Sequence, residues 1–250
     1  MIEALYAAAS GMLSQQTGLD VVANNLANAS TVGFKRDRMD QVDLAYQTFQ
    51  LPSGTTGQLG LGAGPGRMSK EWDAGEAQQT GGQYDVAIDG PGFLKVKLAD
   101  GTPAYTRAGA MQVSADGRLE LASGQPIEPP IKIDANAENV TVGTDGKITA
   151  TVGGAPKTWQ IQLTTFPNAG GLTALGGSLF AQSPNSGAPT TGNPGANGTG
   201  SLLPGYTEGS NVQVADEMVS MIAIQRAFEA SSKVVSASDE MWGMANGLRR

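Results

Sequence analysis

The stretch IEALYAAASGMLSQQTGLDVVANNLAN, residues 2–28, carries an apolar repeat that steps by alternating threes and fours through Ile2, Leu5, Ala9, Met12, Gln16, Leu19, Ala23 and Leu26. That is the a/d seam of a coiled coil, and it predicts a helix from Ile2 to Asn28. The far end of the chain repeats the stepping through Val214, Met218, Met221, Gln225, Phe228, Ser232, Val235, Asp239 and Trp242. Two such seams flanking a glycine-rich, strand-like middle describe a protein whose termini pair with neighbouring copies.

The amides Asn24, Asn25 and Asn28, followed by Ser30, Thr31 and Gly33, mark the end of the first helix. By itself this helix is weak. Gly11 and Gly18 each cost about 1 kcal/mol against alanine, and Glu3 and Asp20 are its only charges, so few ion pairs support its exposed face. Its order must come from packing, and neither terminal helix is expected to be stably folded in a dilute monomer. Gln16, mirrored by Gln225, reads as a register device, because a buried amide is unfavourable unless it meets a partner. The last helix is expected from Ser210, where Ser210 and Gln213 fit a capping box and Asp216 and Glu217 lie near the positive end of the helix dipole. Met218, Met221, Met241 and Met244 are either adaptable contact residues or ordinary helix-core methionines.

Between the helices the period changes. Residues Lys35 to Arg67 pass from a charged stretch to a nearly uncharged run ending in Gly60-Leu61-Gly62-Ala63-Gly64-Pro65-Gly66, which reads as an extended arm. Its glycine spacing does not match a phosphate-binding loop, and no helix follows. From Tyr84 to Phe180 the apolar period is two, as in Tyr84/Val86/Ile88, Leu94/Val96/Leu98, Leu119/Leu121, Ile131/Ile133 and Trp159/Ile161/Leu163. Asp-Gly pairs at 89–90, 100–101, 116–117 and 145–146 supply turn chemistry, so an antiparallel, meander-like β domain is expected. Ser183 to Gly200 reads as a surface loop without core residues. The predicted class is α+β: a helix in residues 1–34, an arm in 35–80, a β-rich domain in 81–205 and a second helix in 206–250, the two helices pairing in a coiled-coil-like inner domain.

Composition removes several functions. The 250-residue chain has no cysteine and no histidine, which excludes disulfides, thiolate chemistry, histidine triads and zinc sites built on either residue. No catalytic, cofactor-binding or metal-binding residues are assigned. A net charge of −7 repels nucleic acid, no apolar run is long enough for a membrane span, and the opening Met1-Ile2-Glu3 is unlike a cleavable signal peptide. Two other classes compete. A polysaccharide-cleaving module would draw two acids from Asp85, Asp89, Asp100, Asp116, Glu120 and Asp145, although four of these already serve turns. An adhesin-like β module with helical oligomerisation ends would form a discrete soluble oligomer. Tyr105 and Arg107 read as a cross-strand surface pair.

The motif Ala23-Asn24-Asn25-Leu26-Ala27-Asn28, followed by Thr31-Val32-Gly33-Phe34-Lys35-Arg36, resembles the N-terminal signature of bacterial flagellar rod and hook proteins. Gly205-Tyr206-Thr207-Glu208-Gly209-Ser210-Asn211-Val212 and Gln225-Arg226-Ala227-Phe228-Glu229 resemble its C-terminal counterpart. Gly90-Pro91-Gly92-Phe93, Ala104-Tyr105-Thr106-Arg107 and the arm residues Tyr46-Gln47-Thr48 and Leu51-Pro52-Ser53-Gly54 are most similar to the distal-rod branch, with an arm shorter than usual. A proximal-rod or divergent paralogue stays open.

The resemblance implies a subunit exported unfolded by the flagellar type III apparatus without a cleaved signal. Its copies would stack, under a rod cap, into a hollow driveshaft across the periplasm. Proximal-rod and hook proteins would be its axial neighbours, and the L- and P-ring proteins its bushing. It also implies terminal helices paired in an inner wall, with the β domain outward and no cofactor. The assembly interface is then expected at Ile2, Leu5, Met12, Leu19, Asn24, Asn25, Leu26, Asn28 and Phe34, and at Met218, Met221, Gln225, Phe228, Val235 and Trp242.

Overall fold

The computed structural model describes residues 2–51, 54–196 and 198–247, the side chains of Ile2, Ala4, Ala245 and Asn246 excepted. The chain forms two compact units: a helical unit of Met1–Ala27, Asp37–Lys70 and Gln213–Arg250, and a β unit of Asn28–Arg36 and Glu71–Val212.

The helical unit opens with α1 (Ile2–Ala27), close to the expected span. A long hairpin follows, made of β1 (Asp37–Asp43), β2 (Tyr46–Gln50), β3 (Thr56–Gly60) and β4 (Ala63–Lys70). β1 pairs with β4 and β2 with β3, both antiparallel, so the arm read from the sequence is a two-stranded ribbon. Every residue of β2 is exposed, as are all of β3 but Gly57. With no face to bury, β2 and β3 need no apolar alternation, and the sequence pattern therefore missed them.

The β unit contains β5 (Ala77–Gln79), β6 (Val86–Asp89), β7 (Phe93–Lys97), β8 (Pro103–Thr106), β9 (Met111–Val113), β10 (Leu119–Leu121), β11 (Ala137–Val142), β12 (Lys147–Val152), β13 (Ala155–Gln160), β14 (Leu163–Thr165), β15 (Thr173–Gly176), β16 (Leu179–Ala181), β17 (Thr190–Gly192), β18 (Ser201–Pro204) and β19 (Tyr206–Glu208). All paired strands run antiparallel, but the topology is not a simple meander. The largest sheet has the order β15-β16-β8-β7-β14-β17. Three of the Asp-Gly pairs turn hairpins. The fourth, Asp89-Gly90, connects β6 to β7, which are not partners, since β6 pairs with β18. The 183–200 segment is more than a surface loop: β17 forms an edge of the large sheet and Ser186 is fully buried.

Strands at the centre of that sheet are covered on both faces, as successive side chains point opposite ways. Leu94, Val96 and Ala104 enter a core with Val86, Ile88, Leu119, Ile127, Ile148, Ile161, Leu163 and Leu202. Phe93 and Tyr105 join Phe180 in a second cluster, with Trp72 and Phe166 stacked edge-on at 4.7–5.2 Å between ring centroids.

The chain closes with α2 (Val214–Gly247) in the helical unit. It begins later than expected: Ser210 bonds the Val212 N–H at 3.3 Å, so the capping box does not form. No described helix is long and apolar enough to cross a membrane.

Candidate assembly site

Within the helical unit, α1 and α2 pack against each other in antiparallel register. A side chain added at Gly11 would meet Ser231 Oγ at 3.7 Å, one at Gly18 would meet Ile224 Cδ1 at 3.4 Å, and Asn25 Nδ2 donates to Glu217 Oε2 at 3.4 Å. Seven residues forward on α1 therefore match seven back on α2. The face turned inward on α1 is Ala8, Gly11, Ser14, Gly18, Val22 and Asn25, and on α2 it includes Glu217, Ile224, Ser231 and Ser238. For most positions this lies one residue before the expected seam, a rotation of about 100° about each helix axis. Residue size explains the offset. Two helix backbones approach closely where side chains are small, which leaves Leu5, Met12, Leu19 and Leu26 half-buried on the flank.

The polar register device is also different from the expected one. Gln16 and Gln225 are exposed, whereas Asn25 and Glu217 are each 1 % exposed. Asn25 further accepts the Asp37 N–H at 2.8 Å and donates to the Asp37 carbonyl at 2.9 Å, so one side-chain amide mimics a strand partner and ties α1 to the ribbon. Lys70 pairs with the Asp37 carboxylate at 2.7 Å. Asn25 thus bonds α2 and the ribbon within one chain.

Flanking this pair, Leu19, Ile224 and Phe228 line a groove of about 420 Å³ rimmed by Gln15, Gln16, Gln225 and Glu229. Of the other expected interface residues, Met218, Phe228 and Trp242 are exposed by 52 %, 43 % and 39 %, Asn24 is exposed and bonds Asp37 at 3.3 Å, and Met221 and Val235 are half-buried. The Ile2 side chain lies outside the described residues. Asn28 and Phe34 belong to the β unit, where both are half-buried and Asn28 Oδ1 accepts the Thr31 hydroxyl at 3.1 Å.

The β unit holds a buried charge cluster that sequence reasoning missed. Glu208 Oε1 meets Lys35 Nζ at 2.6 Å and the Gly75 N–H at 3.0 Å, and Glu208 Oε2 meets Arg107 Nε at 2.7 Å. Arg107 also donates to the carbonyls of Ile88, Gly90 and Gly92 at 3.0–3.1 Å. It is 4 % exposed and Tyr105 2 %, so neither is a surface residue. Burial lowers the Lys35 pKa, against the opposing pull of Glu208. Beside the cluster, the Gly33 N–H donates to the Glu208 carbonyl at 2.8 Å. Gly33 has φ +68, and a Cβ there would come within 2.5 Å of the Ala108 nitrogen, which requires glycine. The two quoted motifs contain Lys35 and Glu208, but nothing local in either marks its charge as buried.

Four of the six acids that a polysaccharide-cleaving module would draw on accept local hydrogen bonds. Asp85 accepts from Thr80 Oγ1 at 2.6 Å and the Met111 N–H at 3.1 Å, Asp100 from Thr102, Asp145 from Lys147, and Glu120 from Gln112. Among the described residues no cluster of three potential metal ligands occurs.

The geometry defines a class: a self-contained β unit and a helical unit with apolar faces exposed on one copy. Three family models match in chain order: "Flagella basal body rod protein" over residues 5–35, "Flagellar hook protein FlgE/F/G D1 domain" over 87–150 and "Flagellar basal body rod FlgEFG protein C-terminal" over 203–248. The chain is 43 % identical to the flagellar basal-body rod protein FlgG of Buchnera aphidicola subsp. Schizaphis graminum, covering 96 % of this chain and 97 % of the relative. Against Caulobacter vibrioides it is 38 % identical to FlgG, covering 99 % and 100 %, and 32 % identical to FlgF, covering 96 % and 95 %. The chain belongs to the flagellar basal-body rod protein family, and its full-length likeness is greater to the FlgG members quoted than to the FlgF one.

Proposed function

We propose that this chain is a structural subunit of the distal flagellar rod, polymerising helically into the driveshaft that carries torque from motor to hook. The observation that carries the reading is the helical unit's surface: Met218, Val219, Ile222, Phe228, Met241 and Met244 are all exposed on α2, and an exposed apolar surface of this extent is a contact surface. Neighbouring copies cover it, with Leu5, Met12, Leu19, Leu26, Met221 and Val235 at the margins of the same contacts, in a coiled-coil-like inner wall. The segments 1–34 and 206–250 serve that wall, 81–205 faces outward, and 35–80 carries the arm. Heterologous contacts that do not close on themselves generate a tube of this kind. Axial neighbours are proximal-rod and hook proteins, the L- and P-rings surround the shaft, and the chain reaches the periplasm through the type III apparatus without a cleaved signal.

Phe228→Glu tests the reading, since it charges the apolar groove. Cells carrying it should lose motility and yield hook–basal bodies without the rod segment between rings and hook, while the purified chain keeps the wild-type urea midpoint of its β unit. Normal motility with complete rods would overturn the proposal. Antibody against the β unit should label basal bodies between the rings and the hook, and label confined to the inner-membrane ring would move the chain to the proximal rod.

A further inference from the structure

Residues 201–212 are the last stretch of the β unit in chain order, yet they pair with its first two strands, β5 and β6. They supply β18, the ladder partner of β6, whose Val86, Ala87 and Ile88 are each at most 3 % exposed. They also supply β19, the partner of β5, and the fully buried Leu202. The Asn211 side chain accepts the Arg36 N–H at 2.7 Å and donates to the Glu71 carbonyl at 2.9 Å.

The decisive group is the Glu208 carboxylate. Arg107 is anchored by three carbonyls of the β6–β7 region, and Lys35 lies close enough for the two cations to repel each other. Without Glu208 the site would enclose both cations with the carboxylate they share missing, and a buried ion deprived of its partner is strongly destabilising. Burying β6 with its edge unpaired carries a further penalty for its backbone groups. The start of the unit depends on the same residue, since Gly33 and Lys35 bond Glu208 through main chain and side chain.

We propose that residues 201–212 are the latch on which the β unit closes. A chain emerging amino end first, from a ribosome or through any narrow passage, keeps this unit open until little but the α2 segment is still to come. The latch concerns the order of folding and stands whatever polymer the chain builds.

Native-state hydrogen exchange of the full-length wild-type protein in rising urea tests it. With each rate divided by the amide's intrinsic rate, β18 and β19 should show the same opening free energy as β7 and β14 in the urea range where the unit opens as a whole, because latch and sheet open together. Glu208→Gln in the full chain should accelerate all four strands by a common factor of at least ten. Exchange in β18 and β19 that is, on the same scale and in that range, tenfold or more faster than in β7 and β14 would overturn the proposal, as would acceleration by Glu208→Gln confined to residues around the carboxylate. The wild-type comparison needs no variant and decides the matter even if Glu208→Gln fails to fold.

Discussion

The two units treat apolar surface in opposite ways. In the β unit Leu94, Val96, Ile148, Ile161, Leu163 and Leu202 have no measurable exposure. In the helical unit Ala8 and Val22 are, among the described residues, the buried apolar side chains, and every large exposed apolar side chain except Leu175 belongs to it. Polar groups do not follow that division: the β unit hides Lys35 and Arg107 on the Glu208 carboxylate, and the helical unit hides Ser14, Asn25, Glu217 and Ser238. One part of the molecule is stabilised from within, and the other presents surface that only a further contact can cover.

Substitutions can break or sharpen this contrast. Arg107→Met removes one cation and strands Glu208 beside Lys35. It should cost the β unit about 3–5 kcal/mol, seen as a lower urea midpoint in tryptophan fluorescence, and a shift under 1 kcal/mol would remove the cluster from the account of stability. Asn25→Ala deletes the paired bonds to Asp37 and the contact to Glu217. About 1–3 kcal/mol should be lost from the helical unit, measured as faster amide exchange in α1 and β1 with β7 unchanged. Val219→Ala, at a residue 67 % exposed, should leave monomer stability within about 0.5 kcal/mol of wild type by thermal melt, and a larger drop would mean that this face is already covered in the single chain. The smallest effect belongs to Asp100. It accepts the Thr102 N–H at 2.9 Å and hydroxyl at 2.6 Å, which hold its pKa below the usual 3.8. A carboxylate depressed in the folded state stabilises above its unfolded pKa, and that contribution is lost as pH falls through the folded one. Asp100→Asn should therefore be slightly less stable than wild type at pH 7, with the difference shrinking in melts as the pH falls below 3.8.

The comparison also explains what was legible in the sequence. The first helix was readable to within a residue, and the buried strands were visible through Leu94/Val96 and Leu119/Leu121, because a strand with a core-facing side must alternate. The outer half of the ribbon was not, since β2 and β3 are almost wholly exposed. The helix seams were found but rotated by one position. Apolar size was read as burial, while Gly11 and Gly18 were read only as weaknesses, although they form the face on which the helices meet. Arg107 was placed on the surface because a single charged residue in a strand usually is. Its anion lies 101 residues away in sequence, a distance over which no local pattern can signal.

The seven-residue matching of Gly11, Gly18 and Asn25 against Ser231, Ile224 and Glu217 acts as an end-stop. Glycine opposite serine or isoleucine would tolerate sliding, for a smooth groove has no preferred position. The asparagine does not: a slip of one heptad in one direction would set Asn25 against Ile224 and carry Glu217 past the end of α1, and in the other would set Glu217 against Gly18 and carry Asn25 past the start of α2, parting the two buried polar groups either way. The helix pair therefore measures its own length from its polar end, like a ruler with a lip at zero, and every exposed side chain farther along α2 inherits its position from that mark.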